Sequence, residues 1–208
     1  CNMFNNVSYR RYNVSGTKSV TFPTGGFSTV REKVALEAWT GATVVPFRPS
    51  TADGMGYVGY KVTNPSPGVW HYEYAIYNMN LDRAIQSFGI PYGTGVTLSN
   101  VGFHAPPQHP GSAADGTDGN QGFSNTPWSQ TDSVGYVFWG TQDFGVAPNA
   151  NAIRWASTYN IRFDSNRPPM LTLARIGFFK TGGPTFVQVL APQGTGQACS
   201  RVPEGFRC

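Results

Sequence analysis

Charge is scarce in this sequence. Only 12% of the 208 residues are Asp, Glu, Lys or Arg, about half the ~25% usual for soluble domains. The polar surface must therefore come from Asn, Ser, Thr, Gln and Gly. The basic excess of +4 is spread out, and only Arg10 and Arg11 stand side by side. That pattern lacks the clustered footprint of a nucleic-acid binder. Long apolar runs are missing too: none approaches the roughly 20 residues that cross a bilayer as a helix, so no membrane span is expected. No leader-like segment opens the sequence, which reads as a mature chain.

Catalytic signatures are also absent. There is no Gly-x-Ser-x-Gly elbow, no Walker loop and no dinucleotide fingerprint. Glutamate occurs four times, at 32, 37, 73 and 204. A two-carboxylate glycosidase would have to pair Glu73 with an Asp such as Asp82, for which the spacing gives no reason.

Cysteine occurs three times, at Cys1, Cys199 and Cys208. Cys199 and Cys208 bracket a short segment turned by Pro203 and Gly205, which reads as a disulfide staple on a tail spanning about 191–208. A disulfide implies an oxidising compartment, extracellular or periplasmic. The odd Cys1 is expected to bond to another polypeptide chain. Lipidation of Cys1, or its use as an N-terminal nucleophile, are the other readings.

What the sequence does have is turn residues and aromatics. With 25 Gly, 16 Pro and 14% aromatic residues, long helices and disorder are both disfavoured. Strand signals recur about every ten residues between turn clusters. Trp70, Tyr72, Tyr74 and Ile76 alternate with His71, Glu73, Ala75 and Tyr77, after a turn at Asn64-Pro-Ser-Pro-Gly68. Further strands are expected at 7–14, 19–22, 57–63, 85–90, 96–103, 134–139, 152–163, 171–179 and 185–190. Val30–Trp39 alternates as a strand would, although two helical turns are the rival reading. From His104 to Gln130 apolar periodicity stops, marking one long irregular loop. The expectation is a single all-β domain over 1–208, a two-sheet antiparallel β-sandwich of Ig-like or jelly-roll-like type.

The runs Val58-Gly-Tyr-Lys-Val-Thr, Trp70-His-Tyr-Glu-Tyr-Ala-Ile-Tyr-Asn-Met-Asn-Leu-Asp-Arg, Asn100-Val-Gly-Phe-His, Asn149-Ala-Asn-Ala-Ile-Arg-Trp and Tyr159-Asn-Ile-Arg-Phe-Asp resemble a segment of a family of large secreted bacterial proteins. The likeness covers most of residues 5–180. In that family such a segment resembles the C-terminal part of a longer polypeptide. The resemblance implies a secreted subunit, processed from a precursor and assembled with a partner chain. It carries no activity.

Two alternatives follow from single residues. His104 and His109 flank Pro106-Pro107 where a strand gives way to the loop, followed by Asp115 and Asp118. Imidazole with nearby carboxylate suits copper or zinc better than calcium, so a metal-dependent extracellular enzyme is one alternative, with His71 as a further ligand. Asp115-Gly-Thr-Asp118-Gly-Asn120 does not have the spacing of an EF-hand loop. Trp128 lies within the polar loop, and if exposed it would serve a carbohydrate-binding module. Most of Trp39, Trp70, Trp139 and Trp155 lie in strand patterns and are assigned to the core.

Overall fold

The computed structural model describes residues 7–112, 114–133 and 135–195, with the backbone of 200–202 and 205–207. All three cysteines of the expected disulfide chemistry lie outside the described residues. The chain divides into two compact units, 1–42 and 43–208.

In the first unit, β1 (Ser8–Tyr9) pairs with β4 (Val30–Arg31), and β2 (Asn13–Ser15) with β3 (Ser19–Thr21). Arg10 and Arg11 lay their guanidinium groups over Phe22 and Phe27 at 4.1 and 4.8 Å. The expected strand over Val30–Trp39 is corrected here: after two residues it becomes a 3-10 turn at Ala35–Ala38. Glu37 explains the switch. Its carboxylate accepts from the Val34 N–H at 3.3 Å and pairs with Lys33 at 2.9 Å, which closes a turn in a strand-like pattern.

The second unit is the sandwich. Its strands are β5 (Thr43–Phe47), β6 (Gly56–Ser66), β7 (Val69–Asn78), β8 (Ile85–Pro91), β9 (Leu98–His104), β10 (Ser129–Ser133), β11 (Tyr136–Gly140), β12 (Ser157–Ser165), β13 (Pro169–Phe178) and β14 (Thr185–Pro192). They form two five-stranded antiparallel sheets, in the orders β5-β6-β7-β12-β9 and β10-β11-β8-β13-β14. A short ladder of β15 (Ser200–Val202) with β16 (Gly205–Arg207) follows. No helix among the described residues is long and apolar enough to cross a membrane.

The period-two reading of β7 holds. Tyr72, Tyr74 and Ile76 are fully buried, and the half-buried Trp70 packs against the same core. Rings from the two sheets meet there, Tyr74 with Phe88 at 5.3 Å and Trp139 with Phe163 at 5.8 Å. The Tyr74 hydroxyl crosses the sandwich to donate to the Leu190 carbonyl at 2.6 Å. Removed from water, that phenol is held well above its usual range.

The loop from 105 to 128 is long but pinned. Gln108 donates through its side chain to the Tyr159 hydroxyl at 2.6 Å and to Asn151 Oδ1 at 3.2 Å. Asn151 Nδ2 donates to the Thr126 carbonyl at 2.8 Å, and the Trp128 indole N–H to the Asn151 carbonyl at 2.6 Å. Polar groups this deep need such partners. The loop is therefore packed against the sandwich by its own amides.

Candidate functional site

The histidines do not converge. On β12, Asn160 faces His104 and Asp164 faces His71. Four residues along a strand separate those two rows, roughly 13 Å. His71 Nδ1 lies 2.6 Å from Asp164 Oδ1, while Asn100 donates to Asp164 Oδ2 at 2.6 Å. Those two contacts, Asn100 foremost, hold the Asp164 carboxyl below its usual range. His71 is thus the cross-strand partner of Asp164, and the convergence of three histidines is corrected. His104 ends β9 exposed to solvent.

Of the remaining metal candidates only His109 and Asp115 meet, with Nδ1 3.5 Å from Oδ2. Asp118 is held by its backbone, whose N–H and carbonyl both bond the Asn149 side chain, and it lines a groove described below. Among the described residues no three of His, Cys, Asp and Glu are grouped to hold an ion.

Asp115 has a structural task. It accepts from the Thr117 hydroxyl at 2.5 Å, the Thr117 N–H at 3.0 Å and the Ser112 N–H at 2.8 Å. These bonds, with Thr117 contributing most, hold its carboxyl down at about 2, against 3.8 when free. Because the folded value is the lower one, its contribution is complete above the free value and disappears as pH falls through about 2. Asp115→Asn should therefore melt below the unmodified chain at neutral pH, and the gap should close in acid. Thermal midpoints of both proteins across this range test the assignment; a gap that does not change with pH counts against it.

The tryptophans exchange roles. Trp128 is only 4% exposed and packs between Phe103 and Tyr159, whereas Trp155 is 61% exposed. Trp128 therefore has no free face for a sugar, and the core assignment of Trp155 is likewise corrected.

On the outer face of the sheet containing β8 a groove of about 980 Å3 opens. Its floor is made by small residues. Ser87 on β8 stands between Gly140 on β11 and Gly177 on β13, so side-chain height is lost across three adjacent strands. One row further on, Phe138 lies across Gly89. A Cβ placed on Gly89 would come 2.2 Å from the phenyl ring, so only glycine admits it. The β8–β13 ladder pairs Gly177 with Ser87 and then Phe178 with Ile85, skipping Gln86. Such a bulge re-aims side chains, and here Gln86 and Ser87 both line the groove.

The walls are amides and hydroxyls. Gln121, Ser124 and Thr126 come from the pinned loop, Ser129 and Thr131 from β10, and Thr141, Gln142 and Asn149 from the segment after β11. Phe123 is fixed by Arg154, whose guanidinium lies 3.5 Å over the ring while donating to the Ala150 carbonyl at 2.9 Å. Burial pushes that guanidinium below its usual pKa. Among the described residues, Asp118 and Arg175 are the only charged ones lining the groove. Phe123 and Pro148 also border a second cleft of about 560 Å3, with Leu81, Ala84 and Phe179 beside the exposed Phe144 and Trp155.

Comparison with known proteins adds no assignment: neither a protein-family model nor a curated protein matches the chain.

Proposed function

We propose that this chain is a non-catalytic glycan-binding β-sandwich of a secreted protein, with the groove over β11, β8 and β13 as its site. The observation that carries this reading is the groove's composition. A sugar ring presents C–H bonds on its faces and hydroxyls, each both donor and acceptor, around its rim. Phe138, whose ring crosses Gly89, stacks on Tyr136 at 5.5 Å and lies 5.4 Å beneath the Arg175 guanidinium, lines the groove with apolar surface for that face. Gln121 and Gln142 carry amides that donate and accept, as the rim requires, and Gln86 adds an amide oxygen while its Nε2 donates to the Thr141 carbonyl at 2.8 Å. The volume lies within the range of ligand clefts.

Chemistry on the glycan is not supported. Glycoside hydrolysis ordinarily uses two carboxyl groups flanking the scissile bond, and among the described residues Asp118 is the only one lining the groove. A chain continuing past Phe123 and Pro148 would next meet Trp155. Secretion, a precursor and a partner chain remain part of the proposal, supported by the family resemblance and the terminal cysteines.

Gel retardation against a panel of soluble neutral and acidic polysaccharides, followed by calorimetry, tests the reading. At least one polymer should be retained, and Phe138→Ala should weaken its binding about tenfold, the effect of losing one aromatic contact of roughly 1.4 kcal/mol. Passage of every polymer without retardation would falsify it.

A further inference from the structure

Among the described residues of the sandwich, four arginines are half-buried: Arg83, Arg154, Arg167 and Arg175. Three of them have acceptors. Arg83 meets Asp53 at 2.6 Å, Arg154 donates to the Ala150 and Pro148 carbonyls, and Arg167 donates to the Gly95 carbonyl at 3.0 Å. Arg175 is the exception. Among the described residues its guanidinium has no hydrogen bond and no ion pair, only the Phe138 ring with its centroid 5.4 Å away. A guanidinium carries five donors in a fixed planar fork, and leaving them unmatched in a partly buried place is unfavourable.

The position is as telling as the missing partner. Arg175 projects from β13, which lies between β8 and β14 in its sheet. In that row Gly89 faces it on one side and Phe186 on the other. Phe138, the ring laid across Gly89, continues the row on β11. The guanidinium therefore stands in the groove, over the Phe138 ring. Asp118, the one lining carboxylate, makes no ion pair with it.

We infer that Arg175 reads a carboxylate on the bound glycan, so that the ligand is a uronic-acid-containing polysaccharide. This inference rests on the glycan reading of the groove and narrows it. The carboxylate of a uronic acid stands at the edge of the sugar ring. With the ring face on Phe138, that edge comes within reach of the fork, which matches a carboxylate with two parallel hydrogen bonds. Lysine, a point charge on a flexible stem, would reproduce the attraction but not the geometry.

The test uses matched pairs of polymers. Polygalacturonate, alginate and a glucuronan are each compared with their carboxyl-reduced forms, alongside a sulfated dextran and a neutral panel. The unmodified chain should bind one acidic member at least tenfold more tightly than its reduced partner. Arg175→Gln should erase that ratio, the acidic polymer falling to the affinity of its reduced partner for the same variant, and Arg175→Lys should restore part of it. The preference should also shrink as salt is raised. Circular dichroism of each variant confirms that the sheets persist. Retention of neutral polymers alone overturns the carboxylate assignment and leaves the glycan site standing. A preference for the sulfated polymer over every carboxylated one overturns it too, as does a carboxylate preference that survives Arg175→Gln. If no polymer of any kind is retained, both readings fall together.

Discussion

Asn151→Leu is expected to lower the stability of the sandwich by about 3 kcal/mol, a loss typical of breaking a buried polar network. Asn151 is 1% exposed, and its side chain is the hub between the long loop and the strands. Its amide donates to the Thr126 carbonyl, and its oxygen accepts from the Tyr159 hydroxyl and from Gln108. Leucine keeps the branched outline with bulkier methyl groups, so no cavity forms and the cost is the lost polar bonds with some overpacking. The Tyr159 hydroxyl can turn to the Ala152 carbonyl at 3.1 Å, which limits the damage. The Thr126 carbonyl has no such second partner among the described residues. For a chain of this size the thermal midpoint should fall by roughly 6–12 °C. The groove should fail before the sheets do, because Gln121 to Pro127 form its wall. Hydrogen exchange read residue by residue should show lost protection over 105–128 first. A midpoint within about 2 °C of the unmodified chain would mean that other contacts hold the loop.

The same network shows how far the sequence could be read. Strands buried on one side announced themselves by alternation, β7 above all, because its aromatic residues recur at every second position. Two edge strands were silent. In β10, Ser129-Gln-Thr-Asp-Ser133 contains no apolar residue and is wholly exposed, so no period could reveal it. In β5, Pro46 argues against a strand unless that strand is an edge, which it is. Trp128 gives no core signal because the surrounding sequence is polar. Its polar neighbours are polar precisely to the extent that they bond one another, as the Gln108, Thr126 and Asn151 contacts show. Trp155 looked internal because Ile153 and Tyr159 nearby are internal, yet β12 starts only at Ser157.

The groove was the least legible feature. Its residues come from β8, β10, β11, β13 and the pinned loop, and they meet only when β8 pairs with both of its neighbours. One signal was available: Gly89, Gly140 and Gly177 interrupt strands that otherwise favour bulky residues. A strand glycine weakens its sheet and often marks a close approach. Three in strands that pair side by side mark a surface cleared of side chains.

That clearance leads to the expectation that Ser87→Tyr will abolish glycan binding, by at least a hundredfold, without weakening the fold. Ser87 faces outward between Gly140 and Gly177, where a Cβ on Gly177 would lie 2.2 Å from the Ser87 hydroxyl and one on Gly140 3.0 Å from the Ser87 Cβ. A tyrosine rooted at 87 can swing its ring over either glycine, the arrangement that offsets the weakness of glycine in sheets. Aromatic residues also suit strands better than serine does. The thermal midpoint should therefore hold or rise by about 2 °C, a fraction of a kcal/mol for a chain of this size. The ring would at the same time occupy the floor on which the sugar must sit. Ser87→Ala is the companion change. It removes one hydroxyl and leaves the trough open, so binding should fall only severalfold, as for one hydrogen bond of about 1 kcal/mol. Calorimetric affinities and melting curves of both variants decide the matter. A fall of more than about 5 °C in Ser87→Tyr would show that the trough serves packing. Undiminished binding by that variant would move the site away from this groove.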